Sequence, residues 1–151
     1  MAEFTYNDVQ VVNPNQPVIL NTTIGCGRGY VYHRNESGIV TLRGIVNNPT
    51  SGFARYQVTF NGNIAVPEGG TAGAIAIALA IDGEAVLTSR AIVTPAAVNE
   101  YFNVTSTAII DVPRGCCNNV SVECVAAAND GVTPAVAINV QNANMMVSRI
   151  A

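Results

Sequence analysis

Apolar and polar residues alternate with a period of two along most of this chain, and Asn, Gly and Pro interrupt the alternation about every ten residues. Side chains of a strand point to opposite faces in turn, so the pattern predicts half-buried β-strands joined by turns. Strands are expected over residues 18–20, 30–33, 39–46, 53–65, 73–81, 84–93, 98–110, 121–128 and 136–150. A helical period is nearly absent, and many short strands at regular spacing indicate an all-β sandwich or barrel.

The sharpest local signal is Asp82-Gly83 between two apolar runs, because these residues accept the positive φ angles of a type I′ hairpin turn. In the run before it, Ala74, Ala76, Ala78 and Ala80 share one face, and Ile75, Ile77, Leu79 and Ile81 share the other. The large face is expected to enter the core. The small face permits close approach, by a second subunit or by a covering loop. The C-terminal run 135–151 alternates almost to its end, with Ile138, Val140 and Met146 as candidate contact residues. A terminal strand this apolar belongs inside a sheet, since an exposed edge of that kind would aggregate.

At 151 residues the chain fits a single domain spanning 1–151, with 1–17 as an extended N-terminal arm or first strand. Apolar residues make up 49% and charged residues only 11%, against about 25% in ordinary globular domains. The usual solvated exterior is therefore missing. All basic residues are Arg and none is Lys, which suits packed interfaces better than free surface. These features make the chain a candidate for assembly with copies of itself. A formal charge of −3 argues against a nucleic-acid partner, and no apolar run reaches the length of a membrane span. The start, Met-Ala-Glu-Phe-Thr-Tyr, has neither a basic segment nor an apolar stretch, so synthesis without a cleaved signal is expected.

Candidate chemistry is sparse. His33 is the single histidine, set within an alternating strand, and the ten acidic residues are scattered; neither a nucleophile triad nor a carboxylate pair is legible. No catalytic, cofactor or metal residues are assigned, and the chain is expected not to be an enzyme. Gly25-Cys-Gly-Arg-Gly is neither a phosphate loop nor a dinucleotide fingerprint. Cys26, Cys116, Cys117 and Cys124 lack the paired spacing of a zinc site. One disulfide or none is expected among them, with buried thiols as the default.

From Phe53 onward, Tyr56-Gln-Val-Thr-Phe-Asn-Gly-Asn-Ile, the Asp-Gly hairpin, Val98-Asn-Glu-Tyr-Phe-Asn-Val, Ile110-Asp-Val-Pro-Arg-Gly, Val120-Ser-Val-Glu and the closing strand occur in a familiar order. Over about two-thirds of its length the chain resembles the tumour-necrosis-factor-like jelly roll, especially the small bacterial and phage versions. The resemblance implies a two-sheet antiparallel sandwich that assembles as a homotrimer, with the C-terminal strand near the three-fold axis. It implies a virion protein, a capsid decoration or fibre knob, with other virion proteins as partners. The alternative is an extracellular or bacterial cell-surface module that binds a host-surface glycan or receptor through loops 25–29, 67–70 or 129–134. The aromatic and basic receptor contacts of the cytokines are missing, so no signalling role is implied.

Overall fold

The computed structural model describes residues 1–25, 29–45, 50, 52–128 and 131–151. The described strands are β1 (Ala2–Tyr6), β2 (Gln10–Val12), β3 (Thr22–Ile24), β4 (Val31–His33), β5 (Val40–Arg43), β6 (Phe53–Ala65), β7 (Ile75–Ile81), β8 (Glu84–Ala85), β9 (Ala91–Val93), β10 (Phe102–Pro113), β11 (Cys117–Val125) and β12 (Ile138–Arg149). One sheet runs β10-β6-β12-β1-β3 with β2 beside β12, and the other runs β4-β5-β11-β7-β8 with β9 beside β7. All pairings are antiparallel, and from β5 to β12 the chain passes back and forth between the sheets. That order is a jelly roll, the all-β sandwich that the resemblance implies.

Each sheet turns one face inward. Tyr56, Val58 and Phe60 of β6, Ile77 and Leu79 of β7, Phe4 of β1 and Met145 of β12 fill the space between them with little or no exposure. One side-chain hydrogen bond and one ring contact close the flanks. Ser106 of β10 donates to the Ser89 carbonyl, and the His33 ring of β4 packs 4.8 Å from Phe4. Where the chain leaves β5, the Gly44 N–H donates to Cys116 O at 2.8 Å. A Cβ on Gly44 would sit 2.1 Å from the Pro113 carbonyl oxygen, so this crossing needs glycine.

The hairpin forms as expected, with Asp82 at φ 52° and Gly83 at φ 84°. Residues 53–65 form a strand with the predicted bounds. Elsewhere the elements differ from expectation for identifiable reasons. Residues 18–20 form no strand, because Val18 N–H bonds to Val122 O while Leu20 N–H bonds to Ser37 O; partners on two different segments make no ladder. Residues 84–93 divide into β8, a 3₁₀ turn (Leu87–Ser89) and β9. There the Ser89 hydroxyl accepts from Leu79 N–H at 3.0 Å and donates to Val86 O at 2.6 Å, standing in for strand bonds. Val46, the end of one expected strand, lies outside the described residues. The first 17 residues contribute two strands, β1 and β2, both paired with β12. The C-terminal strand is accordingly interior, between β6 and β1.

β12 carries an irregularity that reverses its faces. Gln141 opposes Asn63 and Asn144 opposes Asn61, so three steps on β12 span two on β6. The extra residue is accommodated at Asn142, whose φ is 55°, a left-handed conformation that Asn tolerates better than branched residues. Before the bulge Ile138 and Val140 point inward; after it Ala143, Met145 and Val147 do. Asn142→Val is expected to cost about 1–2 kcal/mol, and Asn142→Gly to be close to neutral, measured as the shift in urea midpoint at constant slope.

Candidate functional site

The seven candidate contact residues are not one surface. Ile138 and Val140 are fully buried in this chain's own core, so neither can meet a second subunit; the bulge separates them from Met146, which faces outward. Ala76, Ala78 and Ala80 are also fully buried within the chain. Ala76 and Ala78 cluster with Val125, and Ala85 and Ala127 pack against them, so the small face is closed by this chain's own residues and not by a subunit. Ala74 is exposed and precedes β7. Met146 alone remains on an open sheet face.

That face is the outer side of the first sheet. Its cross-strand rows follow from the register. Thr107, Thr59, Met146, Glu3 and Ile24 form one row across β10, β6, β12, β1 and β3. Thr105, Asn61, Asn144, Thr5 and Thr22 form the next. Gln57, Ile109 and Ser148 lie on one side of these rows and Asn63, Asn103 and Gln141 on the other. Five strands at about 4.8 Å spacing span about 19 Å and β6 runs about 40 Å, which bounds the face at roughly 760 Å².

Its chemistry is amide and hydroxyl, with apolar side chains set among them: Ile109 is 64% exposed, Ile24 52% and Met146 40%. The Asn103 amide donates to Asn61 Oδ1 at 2.7 Å and Asn63 Oδ1 at 3.1 Å, and the Thr59 and Thr107 hydroxyls are 3.1 Å apart. Two charges on this face cancel in the plane and one, on Glu3, remains. Arg55 donates to both Asp111 oxygens, at 2.7 and 3.0 Å, and the guanidinium holds the Asp111 carboxyl below its usual range. Glu3 accepts from the Asn144 amide. The sequence pattern shows the alternation that builds this face, but the bulge that adds Met146 and excludes Ile138 has no signal beyond Asn142 itself.

Residues with reactive side chains are engaged elsewhere. His33 Nε2 lies 2.9 Å from Ser37 O and Nδ1 3.4 Å from the Thr23 hydroxyl. Among the described residues no group of three His, Cys, Asp or Glu side chains could hold a metal ion; Asn129 and Asp130, part of one candidate loop, lie outside the described residues, as do Cys26 and Arg28. The expectation of buried thiols holds for Cys124 but fails for Cys116 and Cys117, which are free and exposed around the turn into β11. Cys124 donates to Val136 O at 2.9 Å, and burial pushes its thiol up to about 11. Thiolate is the reactive form. Iodoacetamide at neutral pH is therefore expected to label Cys116 and Cys117 in the native protein and Cys124 only after denaturation, as read by peptide mass mapping.

No protein-family model matches the chain, and no curated protein matches it. Among solved structures, the globular domain of zebrafish complement 1qA protein is similar at 13% identity and a TM-score of 0.49, covering 96% of this chain and 94% of that one. The C-terminal domain of EclA, a sugar-binding protein, gives 16% identity and a TM-score of 0.36 over 82% of this chain and 87% of that one. CBM35 from Cellvibrio japonicus Abf62 gives 14% and 0.29, over 95% and 99%. The fold assignment rests on the strand order, and no function passes to this chain from similarities at this level.

Proposed function

We propose that this chain is a non-enzymatic structural protein that assembles with copies of itself through the outer face of its first sheet. The observation that carries this reading is a broad sheet face with exposed Ile24, Ile109 and Met146, where Arg55 and Asp111 pair in the plane and Glu3 is held by the Asn144 amide. A face dense in like charge would repel an identical copy, whereas this one is mostly neutral amides, hydroxyls and apolar side chains, with Glu3 as its one carboxylate outside an ion pair. Its size approaches the ~800 Å² that each partner contributes to a standard interface. The scarcity of charge and the absence of Lys support the same reading.

A trimer, and a place in a virion as capsid decoration or fibre knob among other virion proteins, are the finer parts of the proposal and rest on the resemblance. Light scattering at micromolar concentration tests assembly directly. A mass near three times 15.7 kDa is expected, and a strictly monomeric mass overturns the reading. A second reading, a glycan- or receptor-binding module of a phage or bacterial surface, is favoured by one feature on the opposite sheet.

A further inference from the structure

The outer face of the second sheet carries a polar groove. Tyr32, Thr41 and Asn119 lie abreast on β4, β5 and β11, and the row continues to the hairpin, where Asp82 Oδ1 accepts from Asn119 N–H at 2.9 Å. Four positions at strand spacing span about 14 Å. Two adjoining cavities follow this row. One, of about 420 Å³, lies by Tyr32 and Thr41; the other, of about 370 Å³, lies by Asp82, Ser121 and Glu123. They share Ile39 and Asn119.

The groove is preorganised. Arg43 Nη1 donates to the Tyr32 hydroxyl at 2.9 Å and its guanidinium lies 5.0 Å from the ring centre, so a side chain that is 47% exposed is held in place. The Thr41 hydroxyl donates to Asn119 Oδ1 at 2.8 Å, which fixes the amide and leaves its Nδ2 hydrogens to the groove. Glu123, only 8% exposed, lines the second cavity. Its carboxyl is pushed up by burial and partly brought back by a hydrogen bond with Ser121.

These groups define the ligand by exclusion and by fit. Asp82 and Glu123 at one end and Arg34 at the other give the lining charges of both signs, which favours a ligand without strong net charge. The floor is the face of a paired sheet, so an extended peptide finds no backbone edge there to join. An aromatic ring with Ile39 and Pro17 offers apolar support to the C–H face of a sugar, while carboxyl acceptors and an amide donor match its hydroxyls.

We propose that this groove binds a neutral saccharide of a few sugar units, with Tyr32 and Ile39 under the rings and Asn119, Asp82 and Glu123 hydrogen-bonded to hydroxyls. The site stands apart from the assembly face, on the other sheet, and gives the second reading a location away from the loops expected from sequence. The test is a glycan array, with maltotriose, cellotriose and chitotriose then titrated into ¹⁵N-labelled protein. Expected are shifts at the amides of Thr41, Gly83, Asn119 and Ser121, with affinity falling about tenfold in Tyr32→Ala and in Asn119→Ala. Glu123→Gln keeps the groove's shape and guards against misfolding; Tyr32→Phe keeps the stacking ring but loses the Arg43 bond that holds it, and its affinity falls between the parent and Tyr32→Ala. A blank array without shifts, shifts confined to other surfaces, or unchanged affinity in both alanine variants overturns the proposal. None of these outcomes bears on the assembly mass, so the two proposals fail separately.

Discussion

Tyr56→Ala is expected to destabilise the domain by about 3–5 kcal/mol, as truncation of a buried aromatic does. Tyr56 is fully buried near the start of β6, and its hydroxyl donates to Arg43 O at 2.5 Å. The bond ties the first sheet to the end of β5 in the second, so the residue supplies both core volume and a link between layers. Against a total stability of about 5–15 kcal/mol, the loss leaves much of the population unfolded on mild heating. Tyr56→Phe separates the two contributions: it keeps the volume, orphans the Arg43 carbonyl and is expected to cost about 1–1.5 kcal/mol. Urea titration followed by far-UV circular dichroism measures both. A cost for Tyr56→Ala no greater than that for Tyr56→Phe would show that the ring contributes nothing to the core.

The double variant Ile109→Asp with Met146→Asp is expected to convert the assembly to monomers. Both side chains lie on the outer face of the first sheet and neither supports the core, so the monomer should keep its fold. In an assembly each new carboxylate would be buried without a partner, at a cost of several kcal/mol. It would also meet its own copies across the contact. Light scattering is expected to report about 15.7 kDa, with the circular dichroism spectrum of the parent. Ala74→Asp, at the exposed position before β7 of the second sheet, is the control and should leave the parent mass unchanged. An unaltered mass in the double variant, or dissociation by Ala74→Asp, places the contact elsewhere.

How far local pattern reaches is clearest where the two hairpin runs and β12 are compared. Ile75, Ile77 and Leu79 enter the core as the alternation predicts, because side-chain parity within one uninterrupted strand is a property of the backbone alone. The same alternation, applied to β12, groups Ile138 and Val140 with Met146, and one left-handed residue at Asn142 undoes the grouping. The groove was less legible still. Asn119 and Glu123 share a face of β11 by strand spacing, but Tyr32 and Asp82 come from another strand and a turn, and no spacing in the chain announces that they join them.

By itself, then, the sequence determined the all-β class, the Asp82-Gly83 hairpin, the long strand at residues 53–65 and a surface poor in charge, since each follows from composition or from neighbours a few residues apart. The tertiary structure alone decided that the Ala face of β7 is closed by its own chain, that the N-terminal segment pairs with β12, and that Met146, unlike Ile138 and Val140, lies on the outer face of the first sheet. Those outcomes depend on which distant segments pack against a strand, and on a single inserted residue that reverses its faces, and neither is encoded in the period of the pattern.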